Sequence, residues 1–466
     1  MDSVLNCSGL SIPRPTLPGA TIDILEAHLV SDASAYVPEA VYTNHGPINV
    51  TNVSFCAVSL VHTHIQQTDS VNTQVWPPID DTWNGRMMGV GGGGFHCGLY
   101  PENMMAMLGA VGEGYAAVST DCGHTMLQEL SDWLLEYPGK VNLHLLEDFA
   151  STALNDAAVL GKSVAESFDG KLPSYSYLSG CSQVRHESTR LVSAIVYLTN
   201  TVVRRCDGLD GVRDGIVSNI DACNMNAFDL IGTHVPCGEK KAMLSESAAI
   251  VATAAWQGPV HRSGMHLWTG VDIVSNLTSD FSSQCSPSGT CTGLPVEYSS
   301  DWIRLAVRKN PSFDLDAVTY DEFTRIFHDS MKEYNSIVGM NGPDLSEFRR
   351  RGGKILAYHG LEAVAMRDPH VRSFYRLFEA PGLGHCWSPS GLYPSTIFDD
   401  MVAWVEKGRV PRSLPASFAD KDGAKNERIL CPYPEKAVYN RHGDTKSRGS
   451  SFCSAAGLGF SSNVQL

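Results

Sequence analysis

Two short stretches far apart in the chain carry residues suited to acyl transfer. The first is Gly180-Cys181-Ser182, which follows the strand-like run Tyr175 to Leu178 and precedes a segment, residues 186 to 204, of helical or mixed character. A serine at such a strand-to-helix turn exposes its hydroxyl as a nucleophile, and the tightness of the turn asks for small residues two positions either side. Gly180 meets the first requirement and Val184 does not meet the second. The second stretch is Gly382-Leu383-Gly384-His385-Cys386, a loop after a strand near the C-terminus. A histidine there can serve as general base and then general acid for a distant serine. Alone, Gly-x-Ser marks a loop serine and His385 a loop histidine. Their cysteines connect them: Cys181 precedes Ser182, and Cys386 follows His385. A disulfide between these cysteines would hold their Cα atoms roughly 4.4–6.8 Å apart, bringing hydroxyl and imidazole within hydrogen-bonding reach. It would close a loop of roughly 200 residues, worth about 5 kcal/mol in the chain-entropy account.

An oxyanion developing on the substrate needs backbone N–H donors. Gln183, directly after the serine, is one candidate. The run Gly91 to Gly94 offers another, with Gly92 as the chosen position; the same run also reads as a flexible turn. A third constellation is Asp207, Asp210 and Asp214, interleaved with Gly208, Gly211 and Gly215. Glycines let the chain curl so that carboxylates and carbonyls converge on a hard cation. The spacing is not that of an EF-hand, and a solvated acidic turn is the alternative. Cys206 and Cys223 bracket this loop and could pin it.

Strands are expected over residues 50 to 62, 72 to 76, 113 to 120 and 175 to 178, with a strand also running into the glycines at Gly91. Helical spacing covers residues 147 to 168. From Cys206 to about Asp344 the strand–helix alternation fades and aromatics, among them Trp256, Trp268 and Trp302, sit among polar loops. This stretch reads as an inserted lid. Gly352 to His359 restores a parallel strand, and Phe398 to Glu406 is an amphipathic helix. The tail after Pro411 reads as loop. The order of strands, nucleophile turn, insertion, strand and late histidine is that of an α/β-hydrolase fold with an inserted lid domain. Its catalytic part would be residues 1–205 and 345–466, and its lid residues 206–344.

Thirteen cysteines and no CxxC pair point to an oxidising compartment and argue against zinc ribbons. Cys7, Cys56, Cys285, Cys291, Cys431 and Cys453 are further disulfide candidates. Asn6, Asn49, Asn52 and Asn276 head glycosylation sequons. These features imply a secreted protein, although the opening MDSVLNCSGL has neither the basic nor the apolar part of a signal peptide. A net charge of −15, with no long Lys/Arg cluster, excludes nucleic acid as a partner, and no apolar run spans a bilayer.

Gly-Cys-Ser with a late Gly-His-Cys resembles the tannase and feruloyl esterase family, secreted fungal carboxylic ester hydrolases whose serine and histidine are braced by a disulfide between adjacent cysteines. TQVWPPIDDTWNGRMMGVGGGGF, GYAAVSTDCGH, CDGLDGVRDGIVSNIDAC, GGKILAYHGL and FYRLFEAPGLGHC are similar to its strands, glycine loop and calcium loop. The resemblance implies a serine esterase acting on feruloyl or galloyl esters. It also implies a structural Ca2+ held by Asp207, Asp210 and Asp214 with the carbonyls of Val212 and Ile216. Two departures stand out. Relatives have Gly-Cys-Ser-Thr-Gly-Gly followed by a further helix and strand, whereas here Ser182 leads to Gln-Val-Arg and reaches Cys206 after few residues. Relatives also read His-Gly-Leu-x-Asp, and Ala363 stands in the place of that aspartate, leaving Glu362, or Asp368 further on, as substitute orienter of the histidine. Both departures read as excised segments. They predict esterase architecture with impaired activity, or alternatively a catalytically inactive calcium-binding extracellular pseudoenzyme.

Overall fold

The structure is a computed structural model that describes residues 7–79, 81–181, 192–237, 240–275, 283–285, 291–294, 296–339, 342, 344–359, 370–420 and 422–455. The chain forms two compact units. One comprises Met1–Val184 and Glu297–Gly342, the other Arg185–Val296 and Pro343–Leu466.

The first unit is built on a six-stranded mixed sheet. Its strands are β1 (Ala20–Val37), β2 (Ile48–His64), β3 (Val71–Trp76), β4 (Arg86–Val90), β5 (Ala116–Thr120) and β6 (Tyr175–Ser179). Their order is β1-β2-β3-β5-β4-β6. β1 to β3 form an antiparallel meander, β3 runs antiparallel to β5, and β4 lies parallel to both β5 and β6. Every residue of β5 (AAVST) is buried, as a central strand covered on both faces should be. The long β1, with half its residues exposed, gave little hydrophobic signal in the sequence.

Helix α1 (Pro101–Gly112) starts with proline at its first turn, where no N–H is needed. A Cβ at Gly112 would meet Val50 Cγ2 at 2.8 Å, so only glycine lets this helix approach β2 so closely. Helix α2 (Leu143–Glu147) passes through a π-helical turn, Asp148–Thr152, into α3 (Ala153–Asp169), which ends on the left-handed Gly170. The inward stripe of α3, Ala157, Leu160 and Val164, packs with Val58, Leu60, Val75, Met87 and Val118 of the sheet in the main core of this unit. Burying each such aliphatic side chain contributes roughly 1.5–3 kcal/mol.

In the second unit, α4 (Val192–Cys206) and α5 (Glu246–Gln257) share a core of Leu198, Leu230, Leu244, Ala249 and Ala252. Strands β7 (Ile355–His359) and β8 (Tyr375–Glu379) pair in parallel, followed by α6 (Ile397–Lys407). The tail is not the loop expected after Pro411. It forms β9 (Leu414–Ala419) with β10 (Lys425–Leu430), and β11 (Glu435–Tyr439) with β12 (Ser451–Ala455). Strict alternation buries Leu414, Ala416 and Phe418 of β9, while Phe378 and Leu392 lie in the same core. Six residues of alternation interrupted by Pro415 gave a weak signal, and burial against β8 overrides it.

Candidate active site and acidic loop

The chain just before Ser182 is firmly held. Ser179 closes β6 with its hydroxyl buried; it accepts a hydrogen bond from Asn44 Nδ2 at 2.7 Å and donates to the Thr43 carbonyl at 3.3 Å. The Ser179 carbonyl accepts from Gly91 N at 3.0 Å, which ties the end of β6 to the start of the glycine run. Gly180 and Cys181 follow, and Cys181 is disulfide-bonded. Ser182, Gln183, Glu362, Asp368, Asn6 and Asn276 lie outside the described residues.

The glycine run is a defined turn. Gly93 and His96 exchange backbone hydrogen bonds of 2.9 and 3.1 Å, and the Gly91 carbonyl accepts from Asn103 Nδ2. A Cβ on Gly92 would collide with the His96 and Cys97 carbonyls, so this position requires glycine for close packing. Cys97 bonds Cys122, a pair the sequence reading did not identify, and thereby anchors the turn to the end of β5. Phe95, next to the glycines, stacks on Trp302 at 6.3 Å between ring centroids and lies 5.8 Å from Tyr298. All three rings are half-buried.

In the second unit β7 and β8 carry the histidine loop. Ala380 N donates to the His359 carbonyl at 2.8 Å, and Trp387 N donates to the His385 carbonyl at 2.8 Å. His385 is exposed, and Cys386 adopts a left-handed φ of 66°. The Tyr358 hydroxyl donates to the Cys386 carbonyl at 2.8 Å, and its burial pushes that phenol well above its ordinary pKa. Tyr358 therefore fixes the loop next to His385; it sits inside an apolar strand, where no sequence signal separates it from core. Cys386, like Cys181, is disulfide-bonded.

The acidic loop curls around its own amides. Asp207 Oδ1 accepts from Asp214 N and Gly215 N, both at 3.0 Å; Asp210 Oδ1 accepts from Val212 N at 2.9 Å and Asp214 Oδ1 from Ile216 N at 3.1 Å. Burial raises the Asp210 and Asp214 carboxyls above the ordinary range, and crowding by the neighbouring aspartates adds to this. Val212 and Ile216 are buried, and Cys206 bonds Cys223 across the loop. Arg428 from β10, itself buried, pairs with Asp214 Oδ2. The donors here are all oxygens, the type a hard cation takes, but among the described residues the three carboxylates do not converge into a three-ligand cluster. Arg428 is distant in sequence and was not foreseen.

The sequence profile described as tannase and feruloyl esterase matches residues 56–193 and 185–455. The chain belongs to the tannase and feruloyl esterase family. A probable feruloyl esterase of Arthroderma benhamiae is 32% identical, covering 95% of this chain and 93% of the relative. A tannase of Aspergillus oryzae is 24% identical, covering 84% of each. The solved tannin acyl hydrolase of Aspergillus niger superposes with a TM-score of 0.81 at 21% identity, over 97% of this chain and 94% of that one. The mixed α/β fold is thus that of tannase and feruloyl esterase, a family of carboxylic ester hydrolases. The two matched pieces meet at residues 185–193, just after Ser182.

Among the other cysteines, Cys7 bonds Cys56 and Cys431 bonds Cys453. Cys285 and Cys291 stand opposite each other in a short antiparallel ladder. Asn49 and Asn52 are exposed on β2. Among the described residues no helix is long and apolar enough to cross a membrane.

Proposed function

We propose that this family member is a secreted serine carboxylic ester hydrolase for aromatic acid esters of the feruloyl or galloyl type. Ser182 Oγ attacks the ester carbonyl while His385 takes its proton. The tetrahedral oxyanion is held by the N–H groups of Gln183 and Gly92. His385 then protonates the departing alcohol, and a water activated by the same imidazole releases the aromatic acid. The observation that carries this reading is that both cysteines flanking the chemistry, Cys181 beside Ser182 and Cys386 beside His385, are disulfide-bonded. A bond joining them would hold hydroxyl and imidazole in register, which lowers reorganisation during acyl transfer.

The half-buried rings of Phe95, Tyr298 and Trp302 beside the glycine turn support an aromatic acyl group, since offset ring contacts each contribute about 0.5–1.5 kcal/mol. The disulfides support export, and exposed Asn49 and Asn52 support glycosylation. Calcium would be bound by Asp207, Asp210 and Asp214 with the carbonyls of Val212 and Ile216, where it neutralises a crowded acidic loop. It supplies rigidity and takes no part in acyl transfer.

Ala363 in the acid's place and the join in the family match after Ser182 favour a second reading of weakened or lost activity. Labelling of the oxidised protein with a fluorophosphonate probe decides between them. Labelling at Ser182, absent in Ser182→Ala, supports the esterase; an unlabelled, folded protein supports a calcium-binding pseudoenzyme.

A further inference from the structure

Deep in the first unit, remote in sequence from every residue of the proposed reaction, β2 and the helix pair α2–α3 bring together an unusual set of groups. His62 and His64 alternate along β2; because residues two apart share a strand face, both imidazoles reach the same side. Opposite them stands Asp156, from the first turn of α3. His62 Nε2 lies 3.5 Å and His64 Nε2 lies 2.9 Å from Asp156 Oδ2. The ligand atoms of this trio all lie within 4.8 Å of one another. Donors around a tetrahedral zinc, bonded at about 2.0–2.2 Å, sit roughly 3.3 Å apart, close to what the two short separations give.

Three further observations point to a ligand beyond the hydrogen bonds that His64 makes to Asp69 and Asp156. The His62 side chain is 0% exposed, yet its Nδ1 makes no hydrogen bond and its Nε2 only a long contact of 3.5 Å to Asp156 Oδ2. Native interiors rarely leave such a group unsatisfied. His64 Nδ1 lies 2.6 Å from Asp69 Oδ2, whose side chain is 1% exposed. His64 Nε2 meanwhile hydrogen-bonds Asp156 Oδ2 at 2.9 Å, so His64 is bonded to carboxylates on both nitrogens; with a metal bound, the Asp69 contact would fix the proton on Nδ1 and leave Nε2 to ligate. Finally, the π-helical turn Asp148–Thr152 lies in this helix pair and sets Asp148 Oδ1 3.7 Å from His64 Nδ1, with Asp148 Oδ2 buried and unpartnered. Such turns inside helices recur at ligand sites. The buried carboxylates of Asp69, Asp148 and Asp156 outnumber the two imidazoles, so added positive charge is favoured here.

We propose that His62 Nε2, His64 Nε2 and Asp156 bind a divalent transition-metal ion of the zinc class, which ties β2 to α3. Two imidazoles and one carboxylate form a nitrogen-rich set that suits zinc or cobalt, in contrast to the oxygen-only loop at Asp207. The site is structural, since its side chains are at most one-tenth exposed.

The test uses the full-length oxidised chain, dialysed against calcium-containing, zinc-free buffer and then titrated with Co2+. The expected result is intense tetrahedral d–d absorption saturating at about one equivalent per chain, displaced by Zn2+, together with a Zn2+-dependent rise in Tm. Asp210→Asn, which alters only the acidic loop, should retain the spectrum; His62→Gln should lose it. Should His62→Gln fail to fold, the wild-type titration and Asp156→Asn still decide. Absent or octahedral-type weak absorption, with Tm indifferent to Zn2+, overturns the proposal, as would a tetrahedral spectrum that persists in both folded variants.

Discussion

At the scale of single residues, the account turns on which group orients His385. A carboxylate hydrogen-bonded to the catalytic imidazole sets its tautomer and stabilises the imidazolium, and its loss in serine hydrolases costs about 10⁴ in turnover. Ala363 cannot supply it. Ala363→Asp is therefore expected to raise kcat on methyl ferulate or methyl gallate by about a hundredfold or more, with KM little changed, because the aspartate acts on the transition state and not on binding. An unchanged kcat would mean that Glu362 or Asp368 already performs the task. His45 stacks on Tyr42 at 4.0 Å between ring centroids. Burial lowers its imidazole pKa from 6.5 to about 4. Glu113, 3.7 Å from Nδ1, would favour the cation, but it is one-third exposed and burial prevails. The folded state thus binds fewer protons than the unfolded chain between these values, so stability is full above pH 6.5 and declines as pH falls toward 4. The loss is about 3 kcal/mol at most. Urea midpoints at pH 7 and pH 4.5 should show it, and His45→Gln should flatten the difference.

At the scale of elements, the acidic loop is where a bound ion would act on stability. On the proposed reading, calcium held only by the folded loop would stabilise it by roughly 2.7 kcal/mol at a hundredfold excess over Kd. Chelation should accordingly lower Tm by several degrees and added Ca2+ restore it, whereas Asp210→Asn should be insensitive to either. Equal midpoints with and without calcium would leave Arg428 as the sole counter-charge of Asp214. The parallel strands were legible because β5 and β7 are short apolar runs bounded by glycine or polar turns, and α3 because its apolar stripe has helical spacing. The long β1 was not, since an edge strand with one face in solvent carries little apolar signal. Nor were the tail hairpins, whose alternation is brief. The Cys97–Cys122 bond was missed because nothing local distinguishes two cysteines that meet only when the glycine turn packs against β5.

At the scale of the whole molecule, what sequence conveyed best was family membership, carried by short motifs. Gly180-Cys181-Ser182, Gly384-His385-Cys386 and the Asp207–Asp214 loop announced a family that the whole-chain comparisons then established. What it conveyed least were partners supplied by distant chain: Arg428 at Asp214, Tyr358 at the Cys386 carbonyl, and Asp156 at His62 and His64. Each is an ordinary core or surface residue in its own segment and acquires its role only through packing. The central claim is likewise a long-range one, that a covalent link braces serine and histidine. Peptide mapping of non-reduced protein tests it most directly. The account predicts a disulfide-linked pair of peptides, one containing Gly180-Cys181-Ser182 and the other Gly384-His385-Cys386. Recovery of Cys181 and Cys386 joined to other cysteines, or as free thiols, would contradict it.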